Sequence, residues 1–114
     1  MIPASVRIWL CNEPVDMRRS FDGLALIAIQ RMEQDPENGA LFVFVNRRMT
    51  RLKALWFDRN GYCILYKRLH RAVFRMPRGP GAQGVASRID GAALAKLLEG
   101  VPAAQRRRTM QLAS

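Results

Sequence analysis

The feature that most constrains the fold is a run of five apolar residues, Leu41 to Val45, placed between an Asn-Gly turn and an Asn-Arg-Arg segment. A short run rich in aromatic and β-branched side chains and bounded by turn residues predicts a central strand, buried on both faces. Two further strands are predicted at 51–57 and 62–69, joined by a tight turn at Asp58-Arg59-Asn60-Gly61. Residues 41–69 therefore predict an antiparallel meander.

The rest of the chain supplies two helices and shorter strands. Apolar residues at helical spacing predict a helix near 20–33, and Asp90 is a candidate cap for a second helix near 90–99. Strands are also predicted at 6–10 and 73–76, the latter as a short fourth strand after the meander.

The predicted fold class is α+β, a small single domain. Four or five mainly antiparallel strands form its sheet, which packs against the first helix. The 114-residue length fits one domain over 1–100. Residues 77–84 are rich in Gly and Pro and predict a mobile loop. Residues 101–114 lack clean periodicity and predict a flexible basic tail.

Charge is concentrated in one segment of the chain. Nineteen Lys and Arg stand against nine Asp and Glu, for a net charge of +10, and sixteen of the nineteen are Arg. Residues 47–78 hold ten of the basic residues against Asp58 alone. Nine uncompensated charges in one segment favour a polyanionic partner, and Arg is suited to bidentate phosphate contact.

Phosphate contacts are therefore expected from the basic residues of this segment. The candidate DNA-binding residues are Arg47, Arg48, Arg51, Lys53, Lys67, Arg68 and Arg71. Aromatic residues lie among them, and each ring either fills the core of the sheet or stacks on unpaired bases. Asp16 and Arg18 are interpreted as structural, a carboxylate near a helix start with an adjacent Arg.

The sequence offers no convincing catalytic constellation, so we expect a protein that is not an enzyme and needs no metal or cofactor. His70 is the single histidine, and Cys11 and Cys63 are too far apart for a zinc motif, so both are expected as free thiols in a reducing cytosol. The acidic residues each have a structural explanation, which argues against a two-metal nuclease centre. After Met1 there is no basic start followed by a long apolar region, so we expect no signal peptide and a cytoplasmic protein.

Several motifs occur in an order that is specific to one family. They are VRIWL at 6–10, PVDMRRSFDGL at 14–24, LFVF at 41–44, NRR at 46–48 and YKRL at 66–69. With these motifs, roughly residues 2–100 resemble the small accessory proteins, often labelled TnpB, encoded by the second reading frame of the bacterial insertion-sequence family numbered 66. The chain departs from that family after the second helix, where Arg106 to Arg108 stand without the Trp residues usual there.

The resemblance implies a non-catalytic accessory role in transposition of a bacterial mobile element, beside a separate large transposase that carries the acid triad. Combined with the charge, it predicts a protein that binds DNA, expected at the element ends, or binds the transposase–DNA complex through its Arg-rich surface. The alternative is an adaptor that docks on the transposase without binding DNA itself. A small nuclease is the third class. No membrane partner is expected, and the sequence leaves the oligomeric state open.

Overall fold

A computed structural model of the chain describes residues 5–77 and 84–103. The elements, in chain order, are β1 (Ile8–Cys11), α1 (Phe21–Gln30), β2 (Leu41–Val45), β3 (Arg51–Asp58), β4 (Gly61–Arg68), β5 (Ala72–Val73), β6 (Ala86–Ile89), α2 (Gly91–Glu99) and β7 (Val101–Pro102).

The main sheet has five strands in the order β4-β3-β2-β1-β6. The meander β2-β3-β4 is confirmed, and β6 pairs antiparallel with β1. The remaining pair, β1 and β2, is parallel and is connected through α1. Parallel neighbours need such a crossover connection because the chain must return to the starting end of the sheet. The predicted class, α+β with a mainly antiparallel sheet, is confirmed.

The central strand β2 is buried along its whole length, as predicted. Phe42 and Phe44 face α1 and join Leu24 in one apolar cluster. The alternate residues of β2 face the other way and join Leu94 and Leu97 of α2 in a second cluster. Because successive strand residues point to opposite faces, the sheet carries one helix on each side.

The two helices begin differently. Asp90 caps α2, since its carboxylate accepts a hydrogen bond from Ala93 N at 2.8 Å. Ser20 occupies the corresponding position of α1, but its side chain makes no capping hydrogen bond. Within the described ranges, neither helix is long and apolar enough to cross a membrane.

The second half of the chain differs from the sequence analysis in several details. The short strand predicted at 73–76 is found at Ala72–Val73 as β5, but it pairs with β7 in a separate two-stranded sheet and does not extend the meander. The fifth strand of the main sheet is β6, a four-residue edge strand. It was not predicted because polar residues interrupt its apolar pattern. Because β7 lies at Val101–Pro102, the fold continues beyond residue 100. The predicted tail from 104 onward and the loop residues 78–83 lie outside the described residues.

Candidate nucleic-acid interface

The carboxyl ends of the parallel strands β1 and β2 lie at the same edge of the sheet. The loop after β1 and the turn after β2 meet there, and Val15 N donates a hydrogen bond to Val45 O at 3.0 Å. Between them lies an open groove of about 730 Å³. Its lining residues are Pro14, Val15, Asp16, Met17, Arg18, Asn46, Arg47, Arg48, Thr50 and Arg51. This edge of a parallel pair is a recurrent position for ligand sites in open α/β sheets.

We call this groove the arginine groove. One of its walls is the turn between β2 and β3. Asn46 organises the turn: its Oδ1 accepts hydrogen bonds from Thr50 N and Arg51 N, both at 2.9 Å. The same side chain donates from Nδ2 to Thr50 Oγ1 at 3.2 Å. Arg47 and Arg48 lie at the exposed tip of this turn. Asn46 therefore holds the backbone while the two guanidinium groups face solvent.

The opposite wall is the loop that leads into α1. Asp16 Oδ1 accepts from Arg18 N at 2.9 Å, and the carboxylate pairs with the Arg18 guanidinium through Nε and Nη2, with the shortest contact 2.7 Å. These hydrogen bonds hold the pKa of Asp16 well below its ordinary value of 3.8, at about 2. The interpretation of this pair as a local structural contact fits the geometry, but the structure also places both side chains in the groove wall.

Lys53 lies beneath this loop and is only 8% exposed. Its Nζ donates to the backbone carbonyl oxygens of Met17 and Arg19, each at 2.7 Å. The ammonium also lies 4.8 Å from the ring centroid of Tyr66. An ammonium carries three N–H donors and no acceptor, so the two carbonyls and the ring provide a partner for each donor. Lys53 was predicted as a phosphate contact; the structure makes it the anchor of the loop instead.

Two arginines extend the basic surface from the groove onto the sheet. Arg51, at the start of β3, is directly opposite Arg68, at the end of β4, and both are exposed. Like charges at directly opposed positions are destabilising unless an anion compensates them. Among the described residues the two ion pairs are Arg18–Asp16 and Arg31–Glu13. The positive charges of Arg47, Arg48, Arg51 and Arg68 are thus not paired with any described carboxylate.

The other predicted contacts are not brought to the groove. Lys67 faces the α2 side of the sheet, where its Nζ donates to Leu98 O at 2.6 Å, near the end of α2. Arg71 is exposed in the connection from β4 to β5, and its carbonyl accepts from Ala103 N at 3.0 Å. The structure therefore collects three of the seven predicted residues in the groove and a fourth, Arg68, beside it.

Sequence reasoning missed the participation of Arg18 and Asn46 in the site. Asn46 directly follows β2, and Arg18 lies in the loop between β1 and α1. These positions indicate a shared site only if β1 and β2 are known to be parallel neighbours. The separate motifs containing these residues, DMRR and NRR, form the two walls of one groove.

The aromatic residues near the basic segment divide between core and surface. Phe74 is buried in the α2-side cluster, whereas Trp56, Phe57 and Tyr62 are half-buried. Tyr66 is 48% exposed, and Arg51 Nη1 donates to its hydroxyl at 3.2 Å. Tyr66 is thus the ring of this group that the structure leaves open beside the arginines.

The side chains that metal binding or thiol chemistry would require lie apart from one another in the described residues. Within 5–77 and 84–103, no three His, Cys, Asp or Glu side chains cluster in a way that could hold a metal ion. His70 is exposed. Cys11 and Cys63 are both free thiols, and burial raises the pKa of the Cys11 thiol.

Comparison with known proteins identifies the family. Residues 6–108 match the family described as IS66 Orf2 like protein. The chain is 39% identical over 103 residues to "Uncharacterized protein y4hO" of Sinorhizobium fredii (strain NBRC 101917 / NGR234), covering 89% of this chain and 87% of that protein. "Uncharacterized protein y4jC" of the same strain is 33% identical over 72 residues, or 63% of this chain and 62% of that protein. No solved structure matches the chain. The family match includes both groove walls and the Arg106–Arg108 segment, and the chain therefore belongs to the IS66 Orf2-like proteins, accessory proteins of insertion-sequence transposition.

Proposed function

We propose that the protein binds the DNA of its insertion sequence through phosphate contacts in and beside the arginine groove. The observation that carries the proposal is the grouping of Arg47, Arg48, Arg51 and Arg68 at one end of the sheet with no described carboxylate paired to them. Guanidinium groups match phosphate geometry in a bidentate manner, and such charge-assisted contacts are stronger than neutral hydrogen bonds.

The preorganised backbone of the groove supports the same proposal. Lys53 holds the loop wall through two carbonyls, and Asn46 holds the turn wall through two backbone amides. Arginines presented from a fixed backbone lose less conformational entropy on binding than arginines on a mobile tail. The proposed contact set omits Lys53 and Lys67, because both ammonium groups donate to backbone carbonyls. Arg71 is exposed outside the groove and stays a prediction.

Phosphate contacts position a protein on DNA without reading its sequence. The proposed division of labour is therefore that this protein supplies non-catalytic DNA contacts at the element ends. A separate transposase of the same element performs the chemistry and supplies or shares the sequence recognition.

The test is a salt titration of binding, followed by fluorescence anisotropy, on a labelled duplex that carries the element's terminal repeat. Four phosphate contacts predict a slope of log K against log salt of about −3 to −4. A scrambled duplex of the same length shows whether sequence contributes. Absence of duplex binding at low salt would contradict the proposal.

A second candidate function, docking on the transposase, is favoured by a different surface. Helix α1 exposes Phe21, Leu26 and Ile29 at 45–53% of their area, and several large exposed apolar side chains on one helix are suited to a protein partner. In a pull-down with the purified transposase, the double variant Leu26→Gln/Ile29→Gln should lose the interaction, and Arg47→Gln/Arg48→Gln should keep it. Retention of transposase by the α1 variant would remove this candidate.

A further inference from the structure

We propose that Tyr66 is a stacking platform for an unpaired base beside the arginine groove, so that the preferred ligand contains single-stranded DNA. This inference deepens the proposed function and rests on it, because it concerns which form of DNA the same surface takes.

The ring of Tyr66 is held in place from two directions. Lys53 Nζ, itself buried, lies 4.8 Å from the ring centroid, and Arg51 Nη1 donates to the hydroxyl at 3.2 Å. Tyr66 is nevertheless 48% exposed. The ammonium lies over one face of the ring, so we infer that the exposed part of Tyr66 includes the opposite face. An aromatic ring with a fixed orientation and an open face is the element that single-strand binding proteins use for stacking.

The charges around the ring are arranged for a nucleotide. Arg68 follows Tyr66 by two residues on β4, so both side chains lie on the same face, about 7 Å apart along the strand. Arg51 is directly opposite Arg68 and also lines the groove. A base on the ring would bring its phosphates within reach of these guanidinium groups. β4 is an edge strand of the sheet, which leaves the platform accessible from the side.

Paired bases in a duplex are already stacked on both faces, so the ring gains nothing from them. An unpaired base offers a free face, and base–aromatic stacking tolerates any sequence. The arginines by contrast contact phosphates in either form of DNA. The two contributions can therefore be separated by comparing single strand with duplex.

Tyr62 is a matched control on the same strand face. Its ring packs edge-on against Phe57, with centroids 5.1 Å apart, and its hydroxyl donates to Glu37 at 3.4 Å. It lies toward the opposite end of β4, away from Arg51 and Arg68. Removing this ring tests whether loss of any tyrosine on β4 weakens binding.

The experiment measures anisotropy of a labelled mixed-sequence single strand and of the corresponding duplex, with the full chain and the variants Tyr66→Leu, Tyr66→Phe and Tyr62→Leu. Tyr66→Leu should weaken single-strand binding on the order of tenfold and leave the salt slope unchanged, since stacking releases no counterions. Tyr66→Phe and Tyr62→Leu should bind the single strand as the unaltered chain does, and duplex affinity should change less than about twofold in every variant.

A second readout begins with the unaltered chain. A single strand with 2-aminopurine at successive positions should show a fluorescence change on binding the unaltered chain, because stacking alters the emission of this base. The change should persist in Tyr66→Phe and be lost in Tyr66→Leu.

Three results would overturn the inference. They are an equal loss of single-strand and duplex affinity in Tyr66→Leu, a reduced salt slope in that variant, and no 2-aminopurine response at saturation. Any of these leaves the proposed function standing as long as the unaltered chain binds the duplex. Absence of duplex binding by the unaltered chain at low salt removes the proposed function as well.

Discussion

Replacing Lys53 by Met tests the role that the structure assigns to the most buried lysine. The substitution keeps the apolar stem and removes the ammonium that donates to Met17 O and Arg19 O. The Met17 carbonyl contact is buried, and an unsatisfied buried acceptor costs about 1–3 kcal/mol. The Arg19 carbonyl contact is only partly buried, so water can replace part of it. We expect the free energy of unfolding to fall by about 2 kcal/mol.

For a chain of this size, a loss of about 2 kcal/mol lowers the melting temperature by about 8 °C. The assay is thermal unfolding followed by circular dichroism, in parallel with the DNA salt titration. DNA affinity should fall because the loop wall of the arginine groove loosens, but the salt slope should change by less than about half a unit, because Lys53 contacts no phosphate.

Two lysines provide controls for this prediction. Lys67→Met removes one contact, to Leu98 O, and should cost about 1 kcal/mol. Lys96→Met, at an exposed position of α2, should leave the melting temperature unchanged. A Lys53→Met variant with the same melting temperature as the unaltered chain, but with about one unit less salt slope, would refute the anchoring role. It would support Lys53 as a phosphate contact.

Three further predictions concern the loop carboxylate, the helix caps and one glycine. Asp16 should titrate near pH 2 when its carboxylate is followed by NMR. Because its folded pKa lies below the ordinary 3.8, its contribution to loop stability is complete above about pH 4 and is lost as the pH falls toward 2. A titration midpoint near 3.8 would contradict the contact with Arg18. Asp90→Ala should lower stability by about 1 kcal/mol in thermal unfolding, whereas Ser20→Ala, which removes no capping hydrogen bond, should cost clearly less. Gly100→Ala should destabilise the protein by more than about 1 kcal/mol, since φ is +71° and a Cβ would lie 2.7 Å from Leu69 Cδ1 and 2.9 Å from Val73 O. The control Gly61→Ala should be nearly neutral, because no atom lies within 4 Å of the added Cβ. Equal effects of the two substitutions would exclude this steric cause.

The sequence predicted the elements whose local pattern decides their structure. The continuous apolar run of β2, the Asp-Arg-Asn-Gly turn between β3 and β4, and the Asp90 cap all act over a few residues, and all three are found. Strand β6 was missed because its pairing with β1 depends on residues more than 70 positions apart. No local pattern specified that β1 and β2 would be parallel neighbours.

The candidate site illustrates the same limit. Lys53 was predicted as a phosphate contact, whereas in β3 it points to the sheet face opposite Leu52 and Ala54. The loop leading into α1 covers that face as well, which buries Lys53. Charge density alone identified the turn arginines, but separating them from lysines that donate to backbone carbonyls required the tertiary packing.

The most direct test of the central claim compares two triple variants with equal loss of charge. Arg47→Gln/Arg48→Gln/Arg51→Gln neutralises the groove, and Arg7→Gln/Arg59→Gln/Lys96→Gln removes three charges from exposed positions outside its lining. In salt titrations on the same labelled DNA, the groove variant should lose about 2–3 units of slope, and the control variant less than about one unit. Equal losses would show that binding follows net charge and not the groove, and would contradict the account.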